Sequence, residues 1–443
     1  MFRCLNYDFD AENYAATFRY ENAGIKFTER VKFAKTDNII DYELLDRALF
    51  LSFVLIGTSY YKTRPTRDIA IEGKSLDKFQ AKFFDAVYQE GLSQFAFENH
   101  LTRDDLGHFH ANAADQPASQ ASQSTPIKLN PADYAGELIL QSGGKDSLLT
   151  ATISTLYHTS PEKSSLAPVF WYLGSSENYP KILDEVAENA ELQIATRKID
   201  LENLEKAKQS GRLNGHVPIT YIVQSLALVQ AILNHNRTVI TSIGHEGAEP
   251  HTFIDGPNGE RDLPVNHQWS KTWEAEKLFA EYVKKYISPS LEVGSLLRKY
   301  SELKIAELFA KNCWDKYGEK FSSCNVANYR QKAKNGELKW CGNCAKCANS
   351  YLLFTPFINR EELDKVIGNG KSLFENENLI DDFKGLLGVD HQIKPFECVG
   401  ETAELRAAYH RKLEKYPSLP FEVPASDFDK DKLYESQDLW NEN

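Results

Sequence analysis

Apolar and polar positions alternate with a period of two near the start of the chain. Tyr14, Ala16, Phe18 and Tyr20 are separated by more polar residues, and Glu21-Asn-Ala-Gly24 offers a turn. Ile25, Phe27, Val31 and Phe33 then alternate with Lys26, Thr28, Arg30 and Lys32. This is the pattern of an antiparallel strand pair with one buried face. Helical spacing follows over about 41–57 and 75–98. The first stretch therefore predicts an α+β unit outside any doubly wound sheet.

Across 111–133 the composition changes to Ala, Gln, Ser and Pro with few large apolar residues, which predicts a linker. Beyond it, buried-strand signals at Leu138–Gln141, Val169–Leu173, Gln193–Asp200 and Thr238–Ile243 alternate with helical patterns. The helical patterns cover 180–190, 218–235 with Pro218 at the first helical position, 270–287 and 295–311. Such alternation implies parallel strands joined by crossover helices. The expected organisation is an α+β domain over 1–110, a linker over 111–133, a doubly wound, mostly parallel α/β domain over 134–358, and a mainly helical tail over 359–443, with no internal repeats.

Composition refines this only slightly. Hydrophobic content of 42% and charged content of 26% fit a globular chain of two or three domains. There is no run of about 18 apolar residues, and Met1-Phe-Arg-Cys-Leu-Asn-Tyr-Asp8 lacks the apolar core of a signal peptide. A cytoplasmic location with no membrane partner is expected. A net charge of −12 argues against a nucleic-acid footprint. Oligomeric state has no signature in this sequence.

The most informative string is Ser142-Gly143-Gly144-Lys145-Asp146-Ser147, set between a predicted strand and a predicted helix. Two adjacent glycines let the backbone turn sharply and approach a ligand. The free amides and positive dipole end of the following helix make such a turn an anion site, suited to pyrophosphate. The spacing is not that of a Walker loop; the bland alternative is a Gly-Gly turn with no ligand.

Cys341, Cys344 and Cys347 are spaced Cys-x-x-Cys-x-x-Cys, and Cys324 lies upstream. Four thiolates suit tetrahedral Zn²⁺ in a structural role, with an iron–sulfur cluster or reduced free thiols as the alternatives. Lys62, Arg64 and Arg67 cluster in a predicted loop, either simply solvated or clamping a phosphorylated substrate. His245-Glu246 follows a strand, and His267 and Lys271 open the next helix. Glu246 is a candidate Mg²⁺ ligand, and His267 and Lys271 are candidates for holding phosphate or a substrate carboxylate. Cys398 in Pro395-Phe-Glu-Cys-Val-Gly-Glu401 is either a buried structural thiol or an acid/base group.

The string Ser142–Ser147 resembles the SGGxDS signature of the PP-loop ATP pyrophosphatases, which cleave ATP between its α and β phosphates. Short members such as the 7-cyano-7-deazaguanine synthases (QueC) pair it with a cysteine knuckle, and longer phage-defence relatives do so too. Over nearly the whole chain the sequence is more similar to the MurL-type epimerases of peptidoglycan precursor synthesis. The strings that carry this resemblance are Phe27-Thr-Glu-Arg30, Ser59-Tyr-Tyr-Lys62, Gly91-Leu-Ser-Gln-Phe-Ala-Phe97, Gly215-His-Val-Pro-Ile-Thr220, Val265-Asn-His-Gln-Trp-Ser-Lys271, Trp340–Cys347 and Pro395–Glu401. The long Ser/Gln linker is a possible departure from the family pattern.

The resemblance implies inversion of the terminal L-Glu of UDP-N-acetylmuramoyl-L-alanyl-L-glutamate, with ATP and Mg²⁺ consumed to AMP and pyrophosphate. His245, Glu246, His267, Lys271 and Cys398 are then the acid/base candidates, and the partner is a small sugar-nucleotide dipeptide. Two other readings are a non-catalytic nucleotide-binding subunit and a transfer-RNA-modifying enzyme; the acidic balance disfavours the second.

Overall fold

A computed structural model describes residues 1–111, 125–130, 133–159, 167–245, 247–330 and 336–440. Most of the predicted linker, and Glu246, lie outside the described residues. The strands are β1 (Phe2–Asp10), β2 (Ala15–Asn22), β3 (Ile25–Lys32), β4 (Ile69–Ile71), β5 (Glu137–Leu140), β6 (Val169–Gly174), β7 (Glu191–Lys198), β8 (Thr238–Thr241), β9 (Thr252–Asp255), β10 (Arg261–Val265) and β11 (Glu292–Ser295). Nine of them form one mixed sheet in the order β11-β8-β5-β6-β7-β3-β2-β1-β4, and β9 and β10 make a separate hairpin.

The half β11-β8-β5-β6-β7 is parallel throughout. Its first strand in sequence, β5, lies in the middle; β6 and β7 add on one side, β8 and β11 on the other. The chain therefore reverses its winding between β5 and β8. At such a switch the loops leaving the two carboxyl ends diverge and open a crevice.

Side chains on a strand point to alternate faces, and the core divides accordingly. Leu138, Trp171, Ala195, Val239 and Val293 join a core built with the helices Tyr42–Tyr61 and Ile219–Asn234. On the opposite face, Ile139, Phe170 and Ile240 pack with Ala151 of the helix Lys145–His158. Leu148 and Leu149 of that helix continue into a second core with Glu302–Asn312, Ala345–Phe354 and the C-terminal helices. The α/β class and the helical C-terminal region are as expected.

The separation of the N-terminal strands from this sheet is not. β3 pairs antiparallel with β7, Arg30 opposite Lys198 and Lys32 opposite Thr196, so β1–β3 extend the same sheet. The joint is polar and buried. Glu29 is fully buried and receives Arg197 Nε at 2.5 Å, while Tyr60 donates to its other oxygen at 2.7 Å. Alternation shows that a strand has a buried face; it carries no information on which distant strand pairs with its edge.

Smaller differences concern boundaries. Pro218 caps the helix Ile219–Asn234 instead of opening it. The stretch read as helical from 295 begins in β11, and its helix starts at Glu302 behind the Ser301 cap. The helix expected over 75–98 is two, Lys78–Gln89 and Ser93–Glu98. The helix Tyr42–Tyr61 is long and apolar enough to cross a membrane, but it is buried inside the fold.

Candidate functional site

The turn after β5 lies at the switch point. Gly143 has φ +79°, a left-handed conformation open to glycine without strain, and a Cβ there would meet Leu338 Cδ1 at 2.5 Å. Gly144 is the N-cap of Lys145–His158, and no side chain caps that helix. The amides of its first turn thus face the crevice with the positive end of the dipole. Ser142 and Ser147 brace the turn: Ser147 Oγ lies 3.2 Å from Ser142 Oγ and 3.1 Å from the Gly144 carbonyl.

Lys145 does not project to solvent. It is buried, and its ammonium is held between Asp146 and Glu302, each at 2.5 Å. Burial alone would lower the Lys145 pKa, but the two carboxylates outweigh it and hold the ammonium above its ordinary value. Glu302 begins the helix after β11. Its neighbour Glu404 is fully buried, accepts the Leu303 amide at 2.9 Å, and is pushed up to about 8 by burial and by Glu302.

A second polar cluster lies along the same side, built by strings far apart in sequence. Arg298, fully buried, donates to the carbonyls of Gly244 at 2.7 Å and Lys271 at 3.0 Å and pairs with Glu276. It ties the loop after β8 to 265–271. Within that segment Asn266 N donates to Ser93 Oγ at 3.1 Å, Trp269 Nε1 to Glu90 at 2.8 Å, and His267 Nδ1 lies 2.6 Å from Gln94 Oε1. Gln94 donates its amide to Glu98 at 2.7 Å, which turns its oxygen toward His267 and makes Nδ1 the donor.

Cys398 is hydrogen-bonded to the His267 ring and faces Lys271 and Lys346. Burial alone would raise the thiol; the two ammonium groups and the imidazole bring it down to about 6. Lys346 also donates to the Cys398 carbonyl, and Gln268 donates to that of Val399 at 2.9 Å. His216 and His251 complete the cluster, their rings 4.4 Å and 6.3 Å from that of His267. Burial first, then neighbouring His267 and lysines, drive both down to about 3, so they are neutral imidazoles at neutral pH.

The four cysteines converge as their spacing suggested. Cys324, Cys341, Cys344 and Cys347 have all their sulfurs within 4.8 Å of one another. Separations of 3.8 Å, 3.6 Å and 3.5 Å are far longer than a disulfide bond. They match the roughly 3.8 Å edge of a tetrahedron with metal–sulfur bonds of about 2.3 Å. Amides of Ala327 and Asn343 point at Cys324 and Cys341 at 3.4 Å, as hydrogen bonds to thiolates would. The donor set fits Zn²⁺.

The remaining candidates are dispersed. His245 stacks on Tyr434 at 3.5 Å, and burial with Arg298 nearby lowers it to about 4. Lys62 reaches the Gly215 carbonyl at 2.8 Å, Arg67 is ion-paired to Asp104 at 2.9 Å, and Arg64 is exposed. Sequence reasoning missed Glu302, Arg298, Glu404 and His251 altogether. Their signals are single residues whose partners are far away in the chain.

Comparison with known proteins adds two findings. The family described as MurL N-terminal domain matches residues 1–296, and the one described as MurL C-terminal domain matches 320–418. A protein of Xanthomonas oryzae pv. oryzae named UDP-N-acetyl-alpha-D-muramoyl-L-alanyl-L-glutamate epimerase is 33% identical over 82% of this chain and 74% of its own length. Proteins of the same name from a Micromonospora species and from Salinispora tropica are each 31% identical, over 90% of this chain and 83% and 82% of their own lengths.

Proposed function

The chain belongs to the MurL family, and from that premise we propose that it is an ATP-dependent epimerase. In this reading it inverts the terminal L-Glu of UDP-N-acetylmuramoyl-L-alanyl-L-glutamate, in peptidoglycan precursor synthesis. The observation that carries the reading is a juxtaposition: a glycine turn at the sheet's switch point whose Lys145 pairs with Glu302, and, just before Glu302 in the chain, Arg298 tying the loop after β8 to the stretch 265–271, whose His267 bonds Cys398.

The chemistry requires both parts. A carbon beside a carboxylate gives up its proton reluctantly, because the carbanion would sit next to a negative charge. We read Ser142–Ser147 as a PP-loop turn that receives ATP. The substrate carboxylate oxygen attacks the α phosphorus, the bond to the β phosphate breaks, and pyrophosphate leaves into the first-turn amides of Lys145–His158. Bound Mg²⁺ would offset charge on the leaving group, and Asp146 is the described carboxylate at the turn. The mixed anhydride draws electrons from the neighbouring carbon and acidifies its proton. One protein group takes that proton, a second delivers one to the opposite face, and water then releases AMP and restores the carboxylate.

Cys398 supports the first role. As a thiolate near neutral pH, beside His267, it is a base that requires no further activation. Lys271 and His267 are the neighbours through which its charge is stabilised. The cysteine cluster, with Zn²⁺ bound, would fix Lys346 against the Cys398 carbonyl.

The test is AMP release. Incubated with ATP and Mg²⁺, the purified protein should form AMP only when the UDP-muramoyl dipeptide is added. AMP formed instead with 7-carboxy-7-deazaguanine and ammonia would transfer the chain to the deazaguanine chemistry.

A further inference from the structure

Lys62 lies in a cleft at the carboxyl end of β7, away from the glycine turn. The cleft, of ≈ 720 Å³, is lined by Ser59, Lys62, Arg197, Asn214 and His216, a volume suited to a small-molecule ligand. Arg197 is ion-paired to Glu29. Lys62 is half-buried and donates to the neutral Gly215 carbonyl at 2.8 Å. Burial and the nearby Arg197 lower its ammonium to about 8. A half-buried cation that faces another cation is stabilised by an incoming anion.

Glu205, Lys208 and Thr63 also line the cleft, and much of the remainder is apolar. Leu201 and Ile219 remain 71% and 43% exposed at the mouth, with Leu204, Leu213 and Val217 beside them. A ligand with an anionic group and a planar or aliphatic portion would satisfy both surfaces. The cleft also leads to the reacting groups: His216 lines it, and the His216 ring is 4.4 Å from that of His267, which bonds Cys398.

We propose that this cleft holds the nucleoside-diphosphate end of the substrate, with Lys62 anchoring the diphosphate, while the glutamyl end lies beside His267 and Cys398. The assignment rests on the reaction proposed above. It also divides the cationic loop: Lys62 binds, whereas Arg67 is engaged by Asp104.

Titration of UDP alone against the full-length protein tests the cleft separately from the reaction. Lys62→Met should weaken UDP binding by about 10- to 100-fold, the loss of a charge-assisted hydrogen bond to phosphate, and should raise KM for the UDP-muramoyl dipeptide similarly. Lys62→Arg should retain most of the affinity. An unchanged UDP affinity in Lys62→Met, or equal loss in Lys62→Arg, overturns the assignment. If the wild type inverts the dipeptide while UDP affinity ignores Lys62, the cleft falls and the reaction stands. If UDP binding depends on Lys62 but no dipeptide is inverted, the reaction falls and the nucleotide cleft stands.

Discussion

At Cys398 opposing forces on one thiol can be weighed. Burial disfavours the thiolate, but Lys271, the hydrogen bond to His267 and Lys346 outweigh it and bring the pKa from 9.0 to about 6. His216 and His251 beside it are held neutral. Cys398 is therefore a group in this cluster that can accept a proton near neutrality and lose that capacity in mild acid. The rate of epimerisation should rise with pH through a limb near 6, because below it the thiolate that would take the substrate proton is itself protonated. Cys398→Ala should lower the rate by about 10²- to 10⁴-fold, the usual contribution of a positioned acid/base group. A pH–rate profile unchanged in that variant would remove Cys398 from the chemistry.

At the scale of elements, the cysteine knuckle is a joint between helices as much as a metal site. The helix Ala345–Phe354 begins inside it, and its Lys346 reaches the segment that carries Cys398. Metal analysis of the purified protein should return about one zinc per chain, as four thiolates in a tetrahedron require. Cys344→Ser should reduce zinc content, lower the melting temperature and weaken activity together. Retained zinc, or a metal-free protein with an unchanged melting temperature, would contradict a structural centre.

The knuckle was legible in the sequence because its spacing is local, and so was the glycine turn, where strand, glycines and helix are adjacent. The buried strands at Leu138, Val169, Gln193 and Thr238 were legible for the same reason. Pairing between β3 and β7 was not, since it depends on Glu29 meeting Arg197 across a long stretch of chain. Strand β11 was hidden because a short buried strand shows no alternation and merges with the following helical pattern. Of the site, His267 and Cys398 were named as separate candidates; their hydrogen bond is a product of folding.

For the molecule as a whole, the arrangement explains why so many separated strings lie in one region. Glu90–Phe97 braces Asn266, His267 and Trp269, the His216 ring lies against that of His267, and Pro395–Glu401 lies against Gln268 and Lys346. The C-terminal segment closes the structure from outside: Tyr434 covers His245, Leu439 packs on Ile139, Phe170 and Ile240, and Trp440 stacks on Tyr157 at 4.0 Å. A sheet joining β1–β3 to the parallel half places the proposed nucleotide cleft two strands from the glycine turn, on the order of 10 Å at about 4.8 Å per strand. An elongated substrate can then meet ATP at one end while its nucleotide is held at the other.

The central claim is that adenylation serves removal and return of a proton at the glutamyl α-carbon. The most direct measurement is the reaction in deuterium oxide with the UDP-muramoyl dipeptide, ATP and Mg²⁺, following AMP and the isotope at that carbon. The account predicts a D-glutamyl product carrying deuterium at the α-carbon, formed only as AMP is released. Inversion without AMP, or AMP release that leaves the α-hydrogen in place, would contradict it.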